Sequence, residues 1–127
     1  MPRQTTFSKT LLPDDGALLQ GEVSHLVKEG VDVLFTTGGT GIGPRDITPE
    51  ILRPLFEKEM DGIMDFIRNK YGTDLPQALT SRSTAGTIGR TQVYALPGSV
   101  KAVQEYTAEI LKVLEHNFRM LHGLDAH

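Results

Sequence analysis

A glycine-rich stretch that joins a predicted strand to a predicted helix, residues 31–50, constrains the fold of this chain more than any other feature. Its first residues are mostly β-branched, aliphatic or aromatic, which is the pattern of a buried strand. Four glycines then fall within six residues. A predicted helix follows, with Thr48 as its N-cap, Pro49 at its first position and Glu50 in its first turn. Strand, glycine loop and helix in this order are typical of a phosphate or nucleotide site, because glycines let backbone N–H groups approach an anion.

The segment before this stretch predicts a strand and a helix. Residues 5–12 are predicted as a short strand because threonines and a phenylalanine favour an extended chain. Asp14 or Asp15 is the predicted cap of a helix that runs to about Glu29. Together with the strand at residues 31–35, these elements form a predicted βαβ unit, so its two strands should be parallel.

The segment after the stretch continues the alternation. The pattern predicts helices from residue 48 to about residue 60 and over residues 63–71, a turn at residues 85–89, and a strand over residues 91–96. Ser99 is the predicted N-cap of a long final helix with one apolar face. Strands that alternate with helices indicate a single α/β domain with a mainly parallel sheet. Ligands of such sheets bind beyond the carboxyl ends of the strands.

Composition narrows the class of protein. The chain has 127 residues, enough for one domain with a core, and it is 39% hydrophobic and 23% charged. A net charge of -3 argues against a general nucleic-acid partner. The absence of cysteine excludes disulfides and thiolate metal sites and fits a cytoplasmic location. No apolar run is long enough for a membrane span, and the N-terminal residues lack the pattern of a signal peptide.

The glycine loop does not match two common phosphate-binding motifs. It is not a Walker A loop because no Gly-Lys-Ser/Thr follows the glycines. It is not a dinucleotide fingerprint because Pro44 stands where the third glycine would be. The residues alone leave two readings open: a site that binds a phosphate-type group, or a long turn that merely connects strand to helix.

Two carboxylates are candidates for a magnesium site. Asp46 lies at the exit of the loop beside Arg45, where it could hold Mg²⁺ near phosphates, cap the next helix or pair with that arginine. Asp14, in the preceding connection, is the natural second carboxylate, and a helix cap is its alternative role. The four histidines have no metal-ligand spacing.

A second strand-to-helix turn could bind an anion together with the glycine loop. It comprises residues 97–99 and places Lys101 in the first turn of the final helix, where a cation opposes the helix dipole. A bound anion would reverse the sign of that interaction; a solvated lysine is the alternative. Ser81 and Arg82 could add a guanidinium to the same pocket, and a surface turn is the alternative there.

With these residues assembled, the chain resembles the MoaB/Mog family, which includes molybdopterin adenylyltransferases and the G domain of gephyrin. The resemblance rests on three motifs, Thr-Thr-Gly-Gly-Thr-Gly at residues 36–41, Pro-Arg-Asp-Ile-Thr-Pro-Glu at 44–50 and Leu-Pro-Gly-Ser-Val-Lys-Ala-Val at 96–103. It covers the chain from about residue 5 onward. The last residues resemble the tail of fused bacterial proteins that join this domain to a cyclic pyranopterin synthase domain.

The resemblance implies a three-layer α/β/α fold, a homotrimer or higher homo-oligomer, and transfer of AMP from Mg-ATP to the terminal phosphate of molybdopterin. Asp14 and Asp46 match the two family carboxylates tied to that transfer. The matching loop residues would hold the pterin side, and the 97–99 turn is the second binding turn. The predicted substrate-binding residues are Thr37, Gly38, Gly39, Thr40, Gly41, Arg45, Ser81, Arg82, Pro97, Gly98, Ser99 and Lys101.

One departure from the family pattern is large. Family members begin with an earlier strand and helix that this chain lacks, and residues 5–12 correspond to the family's second strand. The missing strand would lie beside the one at residues 31–35, so we hypothesise a piece of a longer protein, a processed form or a truncated homologue. The alternative function is a non-catalytic molybdopterin-binding or oligomeric scaffold module. The related domains of molybdenum insertases and nicotinamide-nucleotide amidases are a third possibility.

Overall fold

A four-stranded sheet forms the middle layer of the structure, a computed structural model in which residues 5–124 are described. The strand order is β1-β4-β3-β2, with β1 and β4 parallel and the other two pairs antiparallel. The strands are β1 (Val33–Thr37), β2 (Lys58–Glu59), β3 (Thr84–Ile88) and β4 (Thr91–Leu96). The helices are α1 (Gly16–Lys28), α2 (Thr48–Leu52), α3 (Asp61–Gly72) and α4 (Val100–Leu121), with 3-10 helices at Arg53–Leu55 and Pro76–Thr80.

Helices cover both faces of the sheet, which confirms the three-layer α/β/α class. Successive residues of β4 point to opposite faces. Tyr94 and Leu96 pack with α3 and α4, whereas Val93 and Ala95 pack with α1 and α2. The mainly parallel sheet predicted from the alternation of elements holds for the β1–β4 pair; the sheet as a whole is mixed.

The predicted turn at residues 85–89 is wrong, because residues 84–88 form the buried strand β3. Gly86, which suggested a turn, is needed in the strand for a different reason. A Cβ on Gly86 would stand 2.4 Å from the Phe56 ring and 2.8 Å from the carbonyl oxygen of Lys58, so the close approach of neighbouring chain requires glycine there. The actual turn is at Gly89, whose φ of 59° lies in the left-handed region.

The predicted strand at residues 5–12 is also wrong, and with it the predicted βαβ unit. These residues adopt no regular secondary structure, and Phe7 is 88% exposed. Strand propensity is realised only where a neighbouring strand and a packed face are available. Within residues 5–124, β1 pairs with β4 alone, so its other edge has no strand beside it.

The helix ends follow the predicted capping chemistry at α1 and α4. Asp15 accepts hydrogen bonds from the N–H groups of Ala17 and Leu18 at 2.9 and 3.1 Å. Ser99 accepts one from the N–H of Ala102 at 3.1 Å. Between residues 5 and 124, no helix has an apolar stretch long enough to cross a lipid bilayer.

The helix predicted from residue 48 to about residue 60 is shorter, and Thr48 is its first residue rather than a side-chain cap. Its regular turns end at Leu52, and a 3-10 turn with Pro54 at its centre follows, since proline lacks the N–H that an α-helix would use. The hydroxyl of Thr48 instead donates to the carbonyl oxygen of Gly38, 3.2 Å away. The next helix begins at Asp61, two residues before the predicted segment.

A buried carboxylate joins α3 to α4. The side chain of Glu109 is 3% exposed and accepts hydrogen bonds from Lys112 and Lys70 at 2.7 Å each and from the Tyr71 hydroxyl at 2.9 Å. These contacts, with Lys112 first, lower the pKa of Glu109 from 4.5 to about 2. Because the folded pKa lies below the unfolded value, this carboxylate stabilises the fold above pH 4.5 and loses that effect as pH falls towards 2.

The change Glu109→Gln should therefore destabilise the protein at pH 7 and have a diminishing effect in acid. Urea unfolding followed by circular dichroism at pH 7, 4 and 2.5 would measure the difference in free energy of unfolding from wild type. Glu59→Gln, which alters an exposed glutamate on β2, is the control and should change little. A difference for Glu109→Gln that stays constant over this range would contradict the assigned pKa.

Candidate functional site

The glycine loop begins with two residues in the left-handed conformation. Gly38 and Gly39 have φ values of 94° and 73°, a region that other residues rarely adopt. The N–H of Gly38 donates to the carbonyl oxygen of Leu96 at 2.9 Å, and the N–H of Thr48 donates to that of Gly39 at 3.1 Å. The loop is therefore anchored to the end of β4 on one side and to the start of α2 on the other.

The next turn of the loop leaves backbone donors available. In the described part of the chain, the N–H groups of Gly39, Thr40 and Gly41 donate to no protein atom. Thr40 itself is 3% exposed, which holds the loop against the protein. Successive N–H groups in a glycine loop form a concave surface that suits an anion.

Asp46 shapes the far end of the loop. One of its carboxylate oxygens, Oδ2, accepts a hydrogen bond from the N–H of Gly43 at 2.8 Å, and the N–H of Asp46 donates to the Gly43 carbonyl oxygen at 3.1 Å. A Cβ on Gly41 would stand 2.7 Å from the same Oδ2, so a side chain there would push the carboxylate out of this position. The other oxygen, Oδ1, makes no hydrogen bond within residues 5–124, which leaves it available for a cation.

Arg82 holds the loop from the side of β3. Its Nε donates to the carbonyl oxygen of Gly41 at 2.8 Å and its Nη2 to that of Asp46 at 2.5 Å. Its Nη1 pairs with Glu50 at 2.5 Å, a contact that lowers the pKa of Glu50 and raises the pKa of Arg82. The guanidinium thus supports the loop backbone, and its predicted contact with a ligand stays a prediction.

The second predicted turn touches the first. A Cβ on Gly98 would stand 3.2 Å from the Cα of Gly38, so the two loops meet through glycines. This contact follows from the parallel pairing of β1 with β4, which brings both carboxyl ends to one edge of the sheet. Ser99 caps α4 at this point, and Lys101 in its first turn has no hydrogen-bond or ion-pair partner among residues 5 to 124.

A cavity of about 260 Å³ lies beside the two loops, between α3 and α4. Six predicted site residues line it: Thr40, Gly41, Ser81, Pro97, Ser99 and Lys101. Asp14, Asp46, Arg45 and Arg82 do not line it. Asp14 is exposed and precedes α1, where Gly16 packs closely against the side chain of Ile51 in α2. The start of α1 is therefore a neighbour of the loop's far end.

Sequence reasoning missed the other wall of the cavity. It is formed by residues that read as helix faces or connections, including Ile67, Arg68, Tyr71, Gln77, Glu105 and Tyr106. Tyr106 falls in the apolar stripe of α4 and so reads as core. No local signal shows that a cavity lies between α3 and α4, because that depends on how two helices distant in sequence pack.

Hydrogen bonds fix the two tyrosines of this wall. The hydroxyl of Tyr106 lies 3.0 Å from the Ser83 hydroxyl, which also accepts from Nη1 of Arg68 at 2.9 Å. The hydroxyl of Tyr71 donates to Glu109, and this bond is the main cause that raises the pKa of Tyr71. The aromatic wall is thereby held in place before any ligand arrives.

Comparisons with known proteins show the family of the chain. Residues 5–116 match the family model described as a probable molybdopterin binding domain. The chain is 35% identical over 118 residues to a molybdenum cofactor biosynthesis bifunctional protein of Chlorobaculum tepidum, which covers 93% of the chain and 38% of that protein. It is 36% identical over 105 residues to molybdenum cofactor biosynthesis protein B of Staphylococcus aureus, covering 81% and 62%. The chain thus spans less than two thirds of either relative.

Solved structures show the same fold. The molybdopterin biosynthesis enzyme MoaB of Thermus thermophilus aligns with a TM-score of 0.80 at 37% identity, over 87% of this chain and 70% of that one. The tungsten cofactor synthesizing protein MoaB of Pyrococcus furiosus aligns with a TM-score of 0.74 at 36% identity, over 86% and 73%.

The conformation of the glycine loop predicts that an alanine at position 39 destabilises the protein. A Cβ there would stand 2.1 Å from Oγ1 of Thr48 in a left-handed backbone, so Gly39→Ala should cost roughly 1–3 kcal/mol of unfolding free energy. Gly21→Ala in α1, where a Cβ meets nothing within 4 Å, is the control and should stabilise by about 1 kcal/mol. Urea unfolding measures both. Equal stabilities of Gly39→Ala and wild type would show that the loop adopts another conformation.

Proposed function

The chain belongs to the MoaB/Mog family of probable molybdopterin-binding domains, and on this basis we propose that it binds molybdopterin and transfers AMP from ATP to its terminal phosphate. Its relatives act in molybdenum cofactor biosynthesis. The cavity and the two loops provide the binding site in this proposal, and Asp46 of the glycine loop together with Asp14 before α1 provides the catalytic carboxylates.

The observation that carries the proposal is the meeting of the two loops at Gly38 and Gly98. Around that contact stand the unused N–H groups of residues 39–41, the α4 N-terminus and the unpaired amine of Lys101. All of these favour negative charge. A phosphate held here would lie at the mouth of the cavity, with the rest of the molecule inside.

The carboxylates fit a magnesium ion by their chemistry. Mg²⁺ prefers oxygen ligands and uses one or two protein carboxylates beside phosphates. Oδ1 of Asp46 is unused within residues 5–124, and Asp14 is exposed two residues before Gly16, which packs against the side chains of Ile47 and Ile51. When bound, Mg²⁺ would offset the negative charge of the transferring phosphoryl group.

The proposed reaction is a substitution at phosphorus. An oxygen of the molybdopterin phosphate attacks the α-phosphorus of ATP, and the bond from that phosphorus to the bridging oxygen breaks, so pyrophosphate leaves with the electron pair. The protein's part is to hold the attacking phosphate in line by backbone N–H groups and by Lys101. No proton transfer is required when the phosphate is ionised.

Substitution of the two aspartates tests the catalytic assignment. Asp46→Asn and Asp14→Asn should each lower molybdopterin-dependent pyrophosphate release from Mg-ATP by roughly a hundred-fold or more, because a neutral amide is a poor magnesium ligand. Asn at 46 still has an oxygen that can accept from Gly43, so the loop should persist. Asp15→Asn is the matched control, since it removes a charge next to Asp14 and keeps a cap for α1.

Two results would contradict this assignment in different ways. If the Asp46→Asn variant released pyrophosphate as fast as wild type, Asp46 would not be a catalytic carboxylate. Tight molybdopterin binding without any release by the wild-type chain would indicate a non-catalytic binding or scaffold module. Binding is measured separately by isothermal titration calorimetry.

The family resemblance also leads us to propose a homotrimer. Several large apolar side chains are exposed in the single chain, including Ile42 at 79% and Leu111 at 61%. Exposed apolar surface favours association. Light scattering coupled to size exclusion should give three times the mass of one chain, and a stable monomer over a range of concentrations would count against the trimer.

A further inference from the structure

Three charged side chains line the described cavity, and they are not equivalent. Arg68 is neutralised by Asp65 at 2.7 Å and donates to Ser83, so its charge is already used. Lys101 and Glu105 have no hydrogen-bond or ion-pair partner within residues 5–124. The cavity thus offers one free cation and one free carboxylate, both on α4.

The two free charges mark the two ends of a ligand. They are four positions apart, about 6 Å along the axis of a helix, so they lie one turn apart on the same side of α4. Lys101 is in the first turn, beside the loops that favour an anion. Glu105 lies deeper, near Tyr71, whose pKa its negative charge helps to raise after the larger effect of Glu109. A matching ligand has an anion at one end and hydrogen-bond donors at the other.

From this arrangement we propose that Glu105 recognises the 2-amino-4-oxo edge of the pterin ring. That edge presents the N3–H and the 2-amino group side by side, and a carboxylate can accept from both donors at once. The flat ring lies in the cavity between the fixed tyrosines, where aromatic faces favour stacking. This assignment rests on the proposed function and specifies which part of the substrate enters the cavity.

The same carboxylate rejects adenine. The adenine edge places an acceptor nitrogen, N1, beside its amino group, so a carboxylate there would face a lone pair instead of a second donor. A cavity of about 260 Å³ is also below the ~300–1,000 Å³ of sites that enclose a whole drug-sized ligand, which suits one ring system. The adenine of ATP must then bind outside this cavity.

A matched pair of small fluorescent compounds tests the assignment. Pterin-6-carboxylate carries the donor pair and, on the opposite side of the ring, an anion for the Lys101 end. Lumazine-6-carboxylate differs by an oxygen in place of the 2-amino group. Fluorescence titration of the full chain should show roughly ten- to a hundred-fold tighter binding of the pterin compound, the worth of one charged hydrogen bond.

The variant Glu105→Gln should lose most of that preference, because its amide nitrogen would face the pterin donors. Glu59→Gln, outside the cavity, should keep it. Equal binding of the two compounds by wild type, a preference retained in Glu105→Gln, or no binding of either compound would overturn the assignment. Failure of wild type to bind molybdopterin itself would instead refute the proposed function. Equal molybdopterin affinity of wild type and Glu105→Gln would refute the role of Glu105 alone.

Discussion

The parallel pairing of β1 with β4 is the constraint on which the rest of the site depends. It joins residues almost sixty positions apart in sequence, such as Leu34 and Val93, and directs both strands to the same edge of the sheet. The chain must turn twice at that edge, and the turns touch at Gly38 and Gly98. A side chain at Gly98 would press against the backbone of Gly38, whereas Gly38 needs glycine for its left-handed backbone, so the first glycine serves the packing of the loops and the second their conformation.

The glycine loop itself was largely predictable, because the sequence signals that define it lie within a few residues of one another. Glycine density, the Pro-Gly turn after β4 and the cap at Ser99 each act within a few residues. What the sequence did not show is how the loop is held. Thr48 reads as a helix cap and Arg82 as a ligand or surface residue, yet both bond to the loop backbone. Hydrogen bonds between side chains and backbone groups that are distant in sequence produce no periodic pattern from which they could be predicted.

The errors in the strand predictions have one physical origin. Residues 5–12 have strand propensity without a neighbouring strand, and residues 84–88 form a strand despite their glycine because neighbours exist on both sides. In both cases, pairing with a neighbouring strand decides whether a segment forms a strand, and this pairing depends on how the whole sheet is assembled. The cavity wall was missed for the same reason, since α3, the 3-10 segment at Pro76–Thr80 and α4 form it together although they are distant in sequence.

Some charged side chains around the site hold the protein structure in place, and others are free to contact a ligand. Arg82 and Arg68 donate mostly to backbone oxygens and hydroxyls, which fixes the loop and the aromatic wall at the expense of their availability to a ligand. Lys70 and Lys112 are likewise unavailable to a ligand, because both form ion pairs with Glu109. Because these cations are committed, Lys101 and Glu105 stand out as the unmatched pair in the cavity. Under the proposed assignment, two unmatched charges of opposite sign select a ligand by its polarity along one axis, and in this respect an anionic pterin differs from an adenine nucleotide that enters base first.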